Sequence, residues 1–401
     1  MKEMHEMESV KAPADQGDPR DTYKIAYIIY FLLGAGNLLP WNAFITAVDY
    51  FSYLYPTKHV EKVFSVAYMS SSVLVLVVMM SLGCRNLTYR CRMNMGFSMF
   101  ILSLMVAPVI DWAWHRDESK GSENAPYSVT VAAVLICGLA DGLIGGSLIG
   151  SAGKLPKQYM QAIFAGTASS GLLVSILRII TKASVPQTPR GLRTSSHFYF
   201  IVSTTILLCC TLCSNLLYKL PVMQQHNRLL SVDPLCCRPK FWTVARRICW
   251  PAFGVLMIYL VTLSIFPGFI AESLQSKLLH DWYPVLLITT YNLADFVGKS
   301  GTAVYVLNSI KKATWACIAR LLFYPLFSAC LHGPKWLKSE VPVAVLTFML
   351  GLSNGYLTSV IMILAPKSVP EPEAELAAVV LAVFLGMGLV CGSILGWFWL
   401  I

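Results

Sequence analysis

Eleven stretches of mainly apolar residues follow one another along this chain, at 23–48, 63–83, 94–114, 128–152, 161–183, 196–218, 249–271, 282–307, 313–332, 341–365 and 377–401. A helix needs about 20 such residues to cross the hydrocarbon layer of a membrane. The series therefore predicts an all-α polytopic membrane protein with eleven transmembrane helices. Composition agrees: 56% of the residues are hydrophobic and only 13% charged, against about 25% charged in soluble domains. The loops are short except for 219–248. The chain thus divides into a cytosolic, disordered tail (1–22), a six-helix bundle (23–218), a central cytosolic loop (219–248) and a five-helix bundle (249–401). Two bundles that rock against each other around a site at the midplane are a common carrier design.

Orientation follows from the basic residues. With the N-terminus in the cytosol, 18 Lys and Arg fall on the cytosolic side and 10 on the other, with Arg178, Lys299 and Arg320 inside spans. Cytoplasmic loops collect Lys and Arg, so the N-terminus is expected inside and the C-terminus on the opposite side. The same bias explains the net charge of +10 without nucleic acid. The sequon at Asn86 then lies in the cytosol, unused. The twelve cysteines show no metal-ligand spacing, and only Cys236 and Cys237 stand where S-acylation is expected. None of the seven histidines joins a nucleophile or carboxylate in a catalytic motif, so neither an enzyme nor a metal or cofactor site is expected.

The informative residues are the charges inside spans, because an ionisable group at bilayer depth costs about 2.5–3.5 kcal/mol on insertion scales. They are Asp111, Asp141, Arg178, Asp295, Lys299 and Arg320. In span 8, "YNLADFVGKS" puts Asn292, Asp295 and Lys299 at i, i+3 and i+7 on one helical face. Asp295 and Lys299 are in the favourable i, i+4 order. This is either a self-neutralising pair or a polar stripe for a hydroxyl-rich solute. In span 5, Thr167, Gly171, Ser175, Arg178 and Lys182 form a narrow stripe of small and polar residues suited to close helix packing. Asp141 in span 4 is a candidate partner for Arg178. In span 1, Pro40 is expected to kink the helix, while Trp41, sharing a face with Asn37, is either an interfacial anchor or a plate for a planar solute.

Several stretches together resemble the equilibrative nucleoside transporter family, most closely its plant members. They are "LLPWNAFITAVDYF" in span 1, "GGSLIGSAGKLP" in span 4, "LSIFPGFI" in span 7, "YNLADFVGKSGTA" in span 8, "ARLLFYPLF" in span 9 and "GLSNGYLTSVIMILAPKSV" in span 10. They run through the chain in order. The resemblance implies a major-facilitator-like two-bundle architecture (6+5) and transport of nucleosides, with nucleobases as a further class, by alternating access. It implies proton symport in some relatives. It assigns Trp41 to a gate at the binding cavity, Ser147 to the cavity's side, and Asn292, Asp295 and Lys299 to the sugar. Asp141, Arg178 and Arg320 remain as an intramembrane charge network or coupling set. Two departures stand out. Lys299 occupies a position usually held by arginine, and Gly145 one often held by a base-reading glutamine. Alternatives are a carrier of another organic solute, such as a cation or cytokinin-like base, and a non-transporting receptor on a transporter fold. The plasma membrane is the expected location, the vacuolar membrane the alternative.

Overall fold

The structure is a computed structural model that describes residues 24–82, 88–114, 124–186, 188–220, 224, 241–266, 276, 278–280, 282–334, 337 and 339–396. The N-terminal tail, Asn86 of the sequon, Cys236, Cys237, most of the central loop and the last five residues lie outside them.

Every long element is a helix. In chain order they are α1 (Ile25–Thr46), α2 (Val48–Leu54), α3 (Val60–Leu82), α4 (Tyr89–Trp114), α5 (Asn124–Gly153), α6 (Lys157–Ser184) and α7 (Pro189–Leu217) in the first half. The second half contains α8 (Phe241–Ile265), α9 (Trp282–Gly301), α10 (Ile310–Ala319), α11 (Phe323–His332), α12 (Glu340–Leu364) and α13 (Glu371–Leu395). A single 3-10 turn, Arg320–Leu322, joins α10 to α11, so the ninth span is one membrane-length segment with a break. Ten segments among the described residues are long and apolar enough to cross a membrane. The expected eleventh, α9, has 20 residues but is not among those ten, because Asn292, Asp295 and Lys299 dilute its apolar character. It also ends at Gly301, short of the expected 307. In α1 the helix runs past Pro40, and the break falls at Ala47, before the short α2.

Glycine decides how closely the helices approach. The first and fifth spans, α1 and α6, meet where Gly34 faces the Ile163 carbonyl and Gly166 the Phe31 carbonyl. The seventh and eleventh, α8 and α13, meet at Gly388 and Gly392, against Leu256 and Leu260. The second and fourth, α3 and α5, meet at Gly138 and Gly142, and the eighth and tenth, α9 and α12, at Gly298, Gly351 and Gly355. In each pair a Cβ would collide with a backbone carbonyl across the contact. The same pairings thus recur in both halves, a repeat carried by small residues at helix crossings and hidden from direct comparison of the sequences.

The halves touch along α6 and α9, and along α13 against α3 and α5. In the first contact the polar stripe of span 5 meets that of span 8 in antiparallel register. Thr167 lies opposite Lys299, Ser175 opposite Asn292, and Lys182 sits 5.6 Å from the Trp282 ring centre. In the second, Gly150 packs on Val379, Gly153 on Ala374 and Ala378, and Lys154 pairs with Glu375. That contact closes one end of the molecule.

Candidate functional site

Between the halves lies a cavity of about 220 Å³. Its walls run from Leu76, Ile149 and Ala382, nearest the Lys154–Glu375 contact, past Asp141, Lys299 and Asn354 to Thr46, Arg178 and Phe266 near the opposite end. Polar groups come from two walls, one in each half.

On the wall from the second half, α9 presents Asn292, Asp295 and Lys299 together, as their spacing predicts. Lys299 Nζ lies 2.8 Å from Asp295 Oδ2, and both residues are buried. The other Asp295 oxygen accepts from Asn354 Nδ2 at 2.7 Å. Asn354 Oδ1 in turn accepts from Thr262 at 2.9 Å and from Arg320 Nη1 at 3.4 Å. Arg320 also donates to Thr262 Oγ1 at 2.8 Å and to the Leu350 carbonyl at 3.2 Å. Arg320 is therefore tied to Asp295 through an amide rather than by direct contact. It stands at the C-terminal end of α10, where a helix dipole favours a cation.

Neither Asn354 nor Thr262 is singled out by sequence reasoning. A signal for Asn354 exists: it is a lone amide in an apolar helix, flanked by Gly351 and Gly355, which let α12 approach α9 closely enough for a 2.7 Å bond.

Asn292 and Lys299 also reach across to the first half. Asn292 Nδ2 donates to Ser175 Oγ at 2.8 Å and to the Gly171 carbonyl at 3.3 Å, and Lys299 Nζ stands 3.5 Å from Thr167 Oγ1. A Cβ on Gly171 would lie 3.2 Å from Asn292 Oδ1, so a side chain there presses directly on the amide.

On the opposite wall, Trp41 is buried and lines the cavity, its ring 4.7 Å from that of Tyr68. One turn back, Asn37 donates to Asp141 Oδ1 at 3.2 Å, and Ser72 donates to Asp141 Oδ2 at 2.7 Å. A Cβ on Gly145 would meet only the Asn37 amide, at 3.4 Å. An amide from α1 thus occupies the place in front of Gly145.

Two expectations are corrected. Asp141 is not the partner of Arg178. Arg178 Nη2 pairs with Asp49 Oδ2 at 2.5 Å and Nη1 donates to the Thr46 carbonyl at 2.7 Å. The break after α1 brings Asp49 back toward the end of α6, whereas Asp141 sits deeper and faces α1 and α3. Ser147 is buried with its hydroxyl on the Leu143 carbonyl of its own helix, at 2.7 Å, and does not line the cavity. Gly145 and Gly146 line that wall instead. The Asp111 side chain lies outside the described residues. Among the described residues no group of His, Cys, Asp and Glu could hold a metal ion.

Comparison with known proteins gives a consistent picture. A family model described as Nucleoside transporter matches residues 131–236 and 235–401. The chain is 67% identical to equilibrative nucleotide transporter 8 of Arabidopsis thaliana over 391 residues, covering 98% of this chain and 99% of that protein. It is 48% identical to equilibrative nucleotide transporter 1 of the same plant, covering 99% and 89%. Among solved structures, a bacterial homologue of the iron transporter ferroportin in its outward-facing state superposes with a TM-score of 0.65 at 12% identity, covering 92% of each chain. The E. coli fucose:proton symporter superposes with a TM-score of 0.59 at 13% identity, covering 92% and 90%. At such identities the likeness concerns the fold alone, which is that of the major facilitator transporters.

Proposed function

The chain belongs to the nucleoside transporter family, and from that membership we propose that it carries nucleosides across a membrane by alternating access through this cavity, with proton symport. It is a membrane transporter and not an enzyme. The observation that carries the reading is the pair of unlike walls: an aromatic plate at Trp41 and a polar stripe of Asn292, Asp295 and Lys299, of which Asp295 and Lys299 are buried. A nucleoside has the same two parts, a flat base and a hydroxyl-bearing sugar. Trp41 stacks on the base. Asp295 accepts from ribose hydroxyls, while Lys299 and Asn292 donate to their oxygens. Lys299 supplies a compact ammonium rather than the planar fork of an arginine, so its contact is to single oxygens.

Eleven spans in a 6+5 arrangement follow if α9 is counted with the ten apolar segments. With the N-terminus in the cytosol, the Lys154–Glu375 contact closes the cytosolic end and the cavity opens outward. Asn292 and Lys299 hold α9 to α6 in this state, and a sugar that draws on the same donors weakens that seam and favours the rocking step. We place the carrier in the plasma membrane.

The test is uptake of labelled adenosine and uridine by the full chain in proteoliposomes. Saturable uptake of either, inhibited by excess unlabelled nucleoside, supports the proposal. Absence of saturable uptake for every nucleoside and nucleobase tried would overturn it.

A further inference from the structure

We propose that Asp141 is the proton-binding group of this carrier, and that Asp295 keeps its charge throughout the cycle. The assignment rests on the transport reading above and adds to it the group that carries the coupled ion.

Both carboxylates line the cavity, but their surroundings are opposite. Asp295 faces two buried cations, Lys299 at 2.8 Å and Arg320 through Asn354. Protonating it leaves those cations without an anion in a medium that solvates them poorly. Asp141 has only neutral hydrogen-bond partners, Ser72 and Asn37. The other titratable groups facing it are the Tyr68 phenol, a neutral O–H directed at the carboxylate, and the Cys137 thiol on its own helix. No basic residue of a packed helix compensates it. Helix α1 has no charged residue, α3 none beyond Lys62, and α13 none beyond Glu375. In α4, Arg90 is held by Asn215 and the buried Arg92 stands beside Tyr89 in the first turn; in α6, Arg178 is held by Asp49, and Lys157 and Lys182 lie in the first and last turns. Lys154, just past the end of α5, is held by Glu375. A carboxylate in this setting loses its burial penalty by taking a proton.

The step balances without a further reactant. A hydronium ion in the cavity gives its proton to Asp141 Oδ2, leaving water and a carboxylic acid. Ser72, which donates to Oδ2 in the charged state, turns to accept from the new O–H. Its own O–H, still bonded to Oγ, then donates to a backbone carbonyl one turn back, as helical serines commonly arrange. Release at the other face reverses these moves.

Asn37 connects the proton to the solute. Its amide nitrogen is fixed on Asp141 because a carboxylate can only accept, its Oδ1 has no partner among the described residues, and it stands one turn from Trp41. Proton and base therefore contact the same short segment of α1. Reciprocity then requires that each alter the other's affinity by the same factor.

The experiment uses the full chain in proteoliposomes and labelled adenosine, at acid and at neutral external pH, with solute exchange measured alongside net uptake. In the unmutated chain, acid outside raises uptake several-fold and a protonophore removes the gain. Asp141→Asn abolishes the response to pH and protonophore while leaving measurable exchange. Asp141→Glu restores the response with a displaced pH profile. Asp295→Asn loses exchange itself.

A pH-driven Asp141→Asn variant overturns the assignment. So does loss of exchange in both Asp141 variants, which marks a structural role. Asp295→Asn that keeps exchange and loses only the pH response also overturns it. Uptake by the unmutated chain that ignores pH overturns this inference and leaves transport standing, whereas no uptake at all overturns both.

Discussion

Charge balance governs the single residues. Lys299 is buried against Asp295, so Lys299→Met leaves an unpaired carboxylate and is expected to cost about 3–5 kcal/mol of stability, read as a large fall in thermal midpoint in detergent. The double variant Lys299→Met with Asp295→Leu is expected to recover most of that stability and none of the uptake. That separation tells a transport role from mere neutralisation. Arg178 presents the opposite case. Its partner Asp49 has a half-exposed side chain, so the pair is expected to contribute no more than about 1 kcal/mol. Exchanging the two charges, Arg178→Asp with Asp49→Arg, is expected to restore expression lost in either single variant, measured by fluorescence size-exclusion. The same exchange between Arg178 and Asp141 is expected to restore nothing.

Close helix contacts set the distances on which the site depends. A Cβ on Gly355 would collide with the Asp295 carbonyl, and one on Gly298 with the Leu352 carbonyl. Gly355→Ala is expected to part α9 from α12 and stretch the Asn354–Asp295 bond, at a cost of about 1–3 kcal/mol and with a raised KM for adenosine. Gly301→Ala has open space around it and is expected to leave stability within about 0.5 kcal/mol. At this scale the sequence was partly readable. The periodic placement of Asn292, Asp295 and Lys299 is a property of one helix, and so can be read from spacing alone. The stripe in span 5 was also visible, but its partner was not, because which helix faces which is a tertiary fact. Arg178 shows the limit. Span 4 offers Asp141 and the segment just past span 1 offers Asp49, and only the break at Ala47 decides for Asp49. Asn354 was missed because an amide carries no charge to flag it in an apolar helix.

Across the whole molecule, the closed end is held by few groups. Lys154 and Glu375 are partly exposed and pair across the halves beside the Gly150 and Gly153 contacts. Replacing both by cysteine and oxidising the pair is expected to lock this end and stop flux. Nucleoside binding from the open end persists, and reductant restores transport; single-cysteine variants are unaffected. Membrane character is legible from apolar length alone. The repeated glycine pairings are not, since they are visible only once the helices are placed.

Neither half is electrically neutral at the cavity: among the described residues, the first presents the carboxylate of Asp141 and the second an excess cation, from Lys299 and Arg320 against Asp295. Water in the open cavity brings the transmembrane potential down to that depth, and the rocking step moves the water from one side of these charges to the other. Each elementary charge carried through the full field is worth about 2.3 kcal/mol per 100 mV. The resting population of the two facing states is thus set partly by voltage, and a jump in potential should displace charge in the empty carrier before any solute moves.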